Sequence, residues 1–213
     1  MTTAAPRYRA LIADFGGVVS TSFHGALRGF CVREGLAPDA LERVFSLEGG
    51  AQGMLTDLER GAVTQHQFID HLAPLLGVDP DNLLERILAD LDLEHVVAEA
   101  IRQLRRNRIR VAVLSNSWGA GPYDPYQPYD LASRFDVAVL SHEVGLRKPE
   151  PAIFELTADR LGLDPHQCVF VDDVAHYLQP ASALGMATIH AVDPETTVKQ
   201  IHRLFDNCPN ATP

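Results

Sequence analysis

The sequence predicts an α/β protein built on a doubly wound parallel sheet, and three observations support this fold class. Five short apolar runs are distributed over the 213 residues. Segments with helical periodicity and crossover length separate the later runs. Glycines such as Gly162 and Gly185 follow these segments, as helix stop signals do. Strands that alternate with helices form parallel sheets with helices on both faces.

The five apolar runs are interpreted as strands that are buried on both faces. They span Tyr8–Ala13, Ile109–Leu114, Phe135–Leu140, Cys168–Val171 and Ala187–Val192. Between the later strands, helices are predicted over Pro151–Gly162 and Leu178–Gly185.

The interval between the first two strands is too long for a simple crossover. It holds roughly 90 residues, whereas a crossover needs about a dozen. Five segments with helical periodicity are Gly25–Glu34, Pro38–Phe45, Thr64–Leu76, Asp81–Asp90 and Glu94–Arg106, the last of which returns to the core. We therefore predict a Rossmann-like core over residues 1–19 and 96–207, a helical cap over 20–95 inserted after the first strand, and a disordered tail over 208–213.

Composition narrows the classes of partner. The formal net charge is −10, and no run of Lys or Arg is longer than Arg105-Arg106. Both features disfavour a nucleic-acid or anionic-membrane surface. A small molecule or a protein is the expected partner.

The cysteines and the N-terminus indicate the compartment. Cys31, Cys168 and Cys208 are odd in number and show no metal-ligand or disulfide spacing. The first residues, MTTAAPRYR, lack the pattern of a signal peptide, and no apolar run approaches membrane-spanning length. We expect a reduced, cytoplasmic protein.

Polar residues stand where the predicted strands end, which is the edge where open α/β sheets bind ligands. They are Asp14, Ser115, Asn116, Asp172 and Asp173, with Lys148 in the loop before a predicted helix. Taken singly, each residue has an ordinary interpretation as a turn, a helix cap or a solvated lysine. Several acids at adjacent strand ends repel one another unless a cation neutralises them, and oxygen ligands of this kind select Mg²⁺. A carboxylate, Mg²⁺ and a lysine together suit phosphoryl transfer.

The order of these residues separates two folds that use such a set. A response-regulator receiver carries its acidic pair on the first strand, whereas here the single Asp14 comes first and the pair follows the fourth strand. This order resembles the haloacid dehalogenase superfamily of hydrolases and phosphatases, over nearly the whole chain. VGLRKPEPAIF and VFVDDVAHYLQPASALGM are similar to the N-terminal phosphatase domain of bifunctional epoxide hydrolases and to small bacterial sugar-phosphate phosphatases. ERGAVTQHQF resembles a segment of their caps.

The resemblance implies a role for each matching residue. Asp14 would be the nucleophile that takes the phosphoryl group, and Ser115 and Lys148 would bind that group. Asn116 and Gly17 would also contact the substrate. Asp14, Asp173 and the Gly16 carbonyl would hold Mg²⁺, with Asp172 beside the metal or sharing its ligation.

Two positions depart from the family pattern. Most phosphatases of the superfamily carry an Asp two residues after the nucleophile, which protonates the leaving oxygen and later activates water. Gly16 can do neither, and such acid–base catalysis is worth about 10²–10⁴-fold, so we expect slow turnover of poor leaving groups. Tyr177 stands where the family places Asn or Asp near the metal, which predicts weaker metal binding. His142 and His176 are either proton shuttles or surface histidines.

The segment Trp118–Asp130, WGAGPYDPYQPYD, follows the predicted phosphate-binding residues directly. Its rings are interpreted either as a stacking wall for a substrate or as a cover of the core.

Three hypotheses of function remain open from the sequence. The first is a Mg²⁺-dependent phosphatase of a small phosphate monoester, with an aspartyl-phosphate at Asp14 and a cap that closes over the site. The second is a haloacid dehalogenase, which Gly16 allows; the acidic pair Asp172-Asp173 argues against it. The third is a catalytically weak or inactive relative that binds a phosphorylated ligand or a protein. The sequence leaves the substrate and the oligomeric state open.

Overall fold

The computed structural model describes residues 8–46, 51–119 and 121–205. The predicted tail over 208–213, including Cys208, lies outside the described residues. Cys31 and Cys168 are buried free thiols.

The described residues form one parallel sheet of five strands, which confirms the predicted fold class. The strands are β1 (Ala10–Ala13), β2 (Arg110–Ser115), β3 (Val137–Leu140), β4 (Cys168–Asp172) and β5 (Ala187–His190). Their order across the sheet is β3-β2-β1-β4-β5, so β1 lies at the centre. Ala13 pairs in register with Val113 of β2 and Val171 of β4. Residues that follow these three strands therefore meet at one edge of the sheet.

Eleven helices connect and cover the strands in the described ranges. They are α1 (Phe23–Arg33), α2 (Ala40–Ser46), α3 (Gln52–Glu59), α4 (Gln65–Leu76), α5 (Leu83–Leu88), α6 (His95–Arg106), α7 (Leu131–Arg134), α8 (Ser141–Val144), α9 (Pro151–Leu161), α10 (Ala175–Ala183) and α11 (Pro194–Phe205). None of them is long and apolar enough to cross a membrane.

The predicted helices are present with shifted ends, whereas α3, α7, α8 and α11 were not predicted; α7 and α8 have only four residues each. Helix α3 has few buried apolar residues and contains Gly53, so its periodicity is weak. Helix α11 buries Thr197, Ile201 and Phe205, and this spacing of four residues is typical of an amphipathic helix.

The sheet is covered on both faces, as the alternation of its side chains requires. On one face, Leu11 and Val113 pack in a cluster with Ile101 of α6 and Ile201 of α11. On the other face, residues such as Ile12 and Leu114 pack in a cluster with residues of α9 and α10, among them Phe154 and Ala181.

The helices between β1 and β2 have a hydrophobic cluster of their own. Phe30 of α1, Phe68 of α4 and Leu84 of α5 are fully or almost fully buried in it. Trp118 reaches this cluster from the loop after β2, and its ring meets the Phe68 ring edge-on at a centroid distance of 5.8 Å. We keep 20–95 as the predicted limits of the cap.

Candidate active site

The chain turns sharply where β1 ends at Asp14. The Asp14 amide donates to the Val171 carbonyl at 2.9 Å, which holds the residue beside β4. The next residues, Phe15–Val19, form a tight turn in which Gly17 has a φ of +77°. The Asp14 carboxylate is therefore fixed at the edge of the sheet, and its side chain is nearly buried.

Gly17 also makes room for an acid from the neighbouring strand. A Cβ atom at Gly17 would lie 2.4 Å from Oδ2 of Asp173, closer than any real contact. Both the backbone conformation and this approach require glycine. Gly17 thus shapes the Asp173 side of the site.

Lys148 joins two of the predicted acids. Its Nζ lies 2.6 Å from Oδ1 of Asp14 and 2.6 Å from Oδ2 of Asp172, and only 1% of the side chain is exposed. Asn116 holds the backbone of this lysine: its Oδ1 accepts from the Lys148 amide at 2.8 Å, and its Nδ2 donates to the Lys148 carbonyl at 3.1 Å. The Tyr177 ring centroid lies 5.0 Å from the ammonium, within cation–π range.

Burial and the neighbouring charges both shift the pKa values of Asp14 and Lys148. Burial raises the pKa of Asp14; Lys148 lowers it, but the neighbouring Asp172 and Asp173 raise it again. For Lys148, burial alone would lower the pKa, but the carboxylates of Asp14 and Asp172 raise it above its ordinary value. The ammonium is therefore charged at neutral pH, and it holds a site that is still rich in negative charge.

Three carboxylates form a set that fits a divalent cation. Asp14, Asp172 and Asp173 each place one oxygen within 4.8 Å of the others. Such hard oxygen donors suit Mg²⁺. Asp172 already uses both oxygens, one toward Lys148 and the other accepting from the Val174 amide at 2.8 Å. Asp14 and Asp173 are therefore the side chains better placed to bind the ion.

Ser115 ends β2 beside this cluster. Its Oγ lies 2.9 Å from the hydroxyl of Tyr126, and both residues are buried. Burial is the main reason why the pKa of Tyr126 is raised. The phenol thus keeps its proton and orients the serine hydroxyl.

A cavity of about 340 Å³ opens above these residues. Of the residues predicted from the sequence, those that line it are Asp14, Gly16, Ser115, Asn116, Lys148 and Asp173. Asp172 is fully buried and, like Gly17, for which we predict a contact with the substrate, is not among the described residues that line the cavity. The walls are largely apolar and come from helices α1, α2, α3 and α5 together with Trp118.

Comparison with known proteins identifies the family. The family model described as haloacid dehalogenase-like hydrolase matches residues 6–185. The chain belongs to the haloacid dehalogenase-like hydrolases. This confirms the resemblance inferred from the order of Asp14, Ser115, Lys148 and the acidic pair.

This haloacid dehalogenase-like hydrolase is also similar to individual hydrolases, among them a phosphatase. Bifunctional epoxide hydrolase 2 of Sus scrofa is 26% identical over 92% of the chain, which spans 38% of that enzyme's length. The D-ribitol-5-phosphate phosphatase of Bacteroides thetaiotaomicron is 28% identical over 84% of the chain and 89% of its own length. A haloacid dehalogenase family enzyme of Bacteroides thetaiotaomicron, solved in complex with magnesium and inorganic phosphate, shares the fold. Its TM-score is 0.62 at 23% identity, over 85% of this chain and 93% of its own.

The rings of the loop after β2 in this family member both line the cavity and cover the core. Trp118 and Tyr126 line the cavity. Tyr126 and Tyr129 also pack edge-on against Phe15, each at a centroid distance of 4.8 Å, and so cover the core.

Two pairs that the sequence analysis missed also line the cavity of this hydrolase. Glu59 at the end of α3 accepts a hydrogen bond from Nε of Arg147 at 2.6 Å. On the other side, Nδ1 of His24 lies 3.5 Å from Oε1 of Glu42. Their sequence signals are too weak to identify them: Glu42 is one ionisable residue within a predicted helix, His24 and Glu59 lie outside the predicted helices, and Arg147 precedes Lys148.

His142 and His176, the two candidate proton shuttles, lie outside the cavity of this hydrolase. His142 hydrogen-bonds to Ser117 through Nδ1, and burial lowers the pKa of its imidazole. The His176 ring packs against the Tyr177 ring in a tilted arrangement, with a centroid distance of 4.2 Å. Neither belongs to the described residues that line the cavity.

A larger groove of about 880 Å³ runs along α6 and the residues before β2 and β3 of this hydrolase. The fold collects six arginines there: Arg102, Arg105, Arg106, Arg108, Arg110 and Arg134. Four of them bind groups of the chain itself, for example Arg105 with Asp136 at 3.2 Å and Arg134 with the Tyr129 carbonyl at 2.6 Å. Most of the arginines in this groove are therefore already paired with other groups of the chain.

Proposed function

We propose that this hydrolase is a Mg²⁺-dependent phosphatase of small phosphate monoesters that acts through an aspartyl-phosphate at Asp14. The observation that carries the proposal is the contact between Lys148 and Asp14 at 2.6 Å on the floor of a cavity. A lysine in this position neutralises the nucleophile and stays within reach of the phosphoryl oxygens. The phosphatase of Bacteroides thetaiotaomicron among its relatives supports the same chemistry.

In the first half-reaction, an oxygen of Asp14 attacks the phosphorus atom, and the bond from phosphorus to the leaving oxygen breaks. The Lys148 ammonium and the Ser115 hydroxyl bind the phosphoryl oxygens, where negative charge is concentrated. In the second, water attacks the phosphorus atom and the bond to Asp14 breaks, which returns the carboxylate and releases phosphate.

We assign different roles to Mg²⁺ and to the buried Asp172. Asp14, Asp173 and the Gly16 carbonyl would hold Mg²⁺, which would neutralise negative charge on the phosphate and the carboxylates. We propose that Asp172 positions Lys148, because its two oxygens bind the ammonium and the Val174 amide. The phosphatase relative suggests a small phosphorylated molecule as the substrate, and the cavity of about 340 Å³ is of a size that suits one.

The test is hydrolysis of p-nitrophenyl phosphate by the wild type with Mg²⁺, by the wild type with EDTA, and by Asp14→Asn. Asp70→Asn is the matched control, because Asp70 is exposed on α4 and outside the cavity. We expect Mg²⁺-dependent turnover that Asp14→Asn abolishes and Asp70→Asn preserves. Hydroxylamine should trap the acyl phosphate of the wild type as a hydroxamate.

A panel of sugar phosphates and 2-haloacids completes the test. Absence of phosphate release from every ester would overturn the proposal. Halide release would then assign a dehalogenase, and phosphate binding without turnover would assign a binding protein.

A further inference from the structure

The space beside Gly16 is already filled by a side chain of α1. A Cβ atom at Gly16 would lie 3.3 Å from Cβ of Phe23, so the Phe23 ring occupies the region into which a longer side chain would project. Gly16 itself carries no proton donor. The proton for the leaving oxygen must therefore come from another residue of the cavity.

His24, the residue after Phe23, is placed for this task. It lies in the first turn of α1, lines the same cavity as Asp173 and has Glu42 of α2 as a neighbour. The Glu42 carboxylate lies 3.5 Å from Nδ1 of His24, so the two side chains form an ion pair whenever the imidazole carries a second proton. Because 63% of the His24 side chain is exposed, the imidazole can exchange protons with water after each transfer.

The other ionisable groups around the cavity suit the task less well. Burial raises the pKa of the phenols Tyr126 and Tyr177, which makes them weaker acids. Lys148 is held by two carboxylates that raise its pKa. Burial also raises the pKa of Glu59, but its carboxylate is bound by Arg147 and has little contact with solvent for proton exchange.

We propose that His24, oriented by Glu42, is the general acid and base that replaces the carboxylate missing at Gly16. This inference rests on the proposed phosphatase function. It assigns the proton-transfer role to α1, in the predicted cap, rather than to the loop after β1.

Each transfer is balanced. As the bond from phosphorus to the leaving oxygen breaks, the electron pair stays on that oxygen, which takes the proton from the His24 imidazolium. The neutral imidazole then accepts a proton from the water that attacks the aspartyl-phosphate. The electron pair of the broken bond returns to Asp14, and the imidazolium is restored.

The experiment compares kcat/KM for two esters, because kcat/KM reports only the steps up to the first bond cleavage. The p-nitrophenolate group leaves without protonation, whereas the alkoxide of glycerol 2-phosphate needs a proton. For His24→Ala we expect kcat/KM for the glycerol ester to fall by about 10²-fold, the lower end of the range for acid–base catalysis, with little change for p-nitrophenyl phosphate. His66→Ala is the matched control, because His66 is exposed on α4 and outside the cavity.

Two further variants separate catalysis from structure. Glu42→Gln should lower kcat/KM for the glycerol ester by a smaller factor than His24→Ala does, because it removes only the partner of His24. Gly16→Asp combined with Phe23→Ala in the His24→Ala background should restore part of the kcat/KM for the glycerol ester, because removal of the Phe23 ring clears the space beside position 16 and a carboxyl group returns near the leaving oxygen. The Tm of each variant reports whether the fold is intact.

The outcomes distinguish the two proposals. A wild type without phosphatase activity overturns the proposed function. An active wild type in which His24→Ala lowers both esters equally, or neither, overturns the role of His24 alone. The same selective loss in Glu59→Gln, with His24→Ala unaffected, would assign the proton to Glu59 instead.

Discussion

Arg147 donates a hydrogen bond from Nε to the Glu59 carboxylate at 2.6 Å, and this ion pair joins the end of α3 to the residue before Lys148. A second pair, also at 2.6 Å, joins Arg60, the residue after Glu59, to Glu150, which lies two residues after Lys148. The two pairs differ in burial, since Glu59 is almost buried whereas Arg60 is exposed. Helix α3 therefore helps to hold the loop that carries Lys148.

Glu59→Gln should lower the free energy of unfolding by about 1–3 kcal/mol, because it removes a charged partner from a largely buried hydrogen bond. It should also raise KM for phosphate esters several-fold, since the Lys148 loop loses an attachment. Urea unfolding and steady-state kinetics measure the two effects.

Glu150→Gln is the control for this prediction. Its ion pair is more exposed, so its loss should cost less than about 1 kcal/mol. Equal effects of the two substitutions would show that the buried pair has no special role.

Gly17→Ala should weaken Mg²⁺ binding by about tenfold or more and destabilise the protein. The φ of +77° strains any residue with a Cβ atom, and that atom would meet the Asp173 carboxylate. Gly53→Ala is the control for the loss of a glycine, because no atom lies within 4 Å of its Cβ position and its φ is not in the left-handed region. Calorimetric titration with Mg²⁺ compares the two. Similar affinities would contradict the space-making role of Gly17.

The sequence predicted the floor of the site because short-range patterns determine it. Asp14, Ser115 and Asp172 directly end or follow apolar strands, and parallel pairing brings such positions to one edge. The strand ends differed by one or two residues. The apolar runs are longer than β1, β3 and β5, whereas β2 and β4 continue one residue beyond their apolar runs, to Ser115 and Asp172.

The walls of the site could not be predicted in the same way. Glu59 and Arg147 are 88 residues apart, and their contact depends on how the helices after β1 lie over the sheet. No local pattern distinguishes Glu59 or His24 from other charged residues on an amphipathic helix. The role of Gly17 likewise became clear only when Asp173 was placed beside it.

Lys148→Met should lower kcat/KM by about 10²–10³-fold, the range for the loss of one charge-stabilising donor. Methionine keeps the stem of the side chain but leaves Asp14 and Asp172 without their shared cation. The inhibition constant for inorganic phosphate should rise in parallel, because the ammonium binds the free anion as well. Unchanged inhibition by phosphate would place the anion away from Lys148.

The stability of the metal-free protein should fall as pH rises from about 4 to about 8 because of Asp14. Burial is the main cause that raises the pKa of this carboxyl to about 8. In that interval the native state binds more protons at this residue than the unfolded state does, so raising the pH favours unfolding. Asp14→Asn removes this contribution. The variant should therefore gain Tm relative to the wild type, with a larger gain near pH 8 than near pH 5 in EDTA.

Added Mg²⁺ should offset the loss of stability of the wild type at high pH. The ion binds the ionised carboxylate in competition with protons, so it should raise the Tm of the wild type more near pH 8 than near pH 5. Asp14→Asn should respond weakly at both pH values, because it lacks one of the proposed ligands. A Tm difference between wild type and variant that is constant with pH, or a Mg²⁺ response that Asp14→Asn retains in full, would contradict a buried Asp14 that is ionised on metal binding.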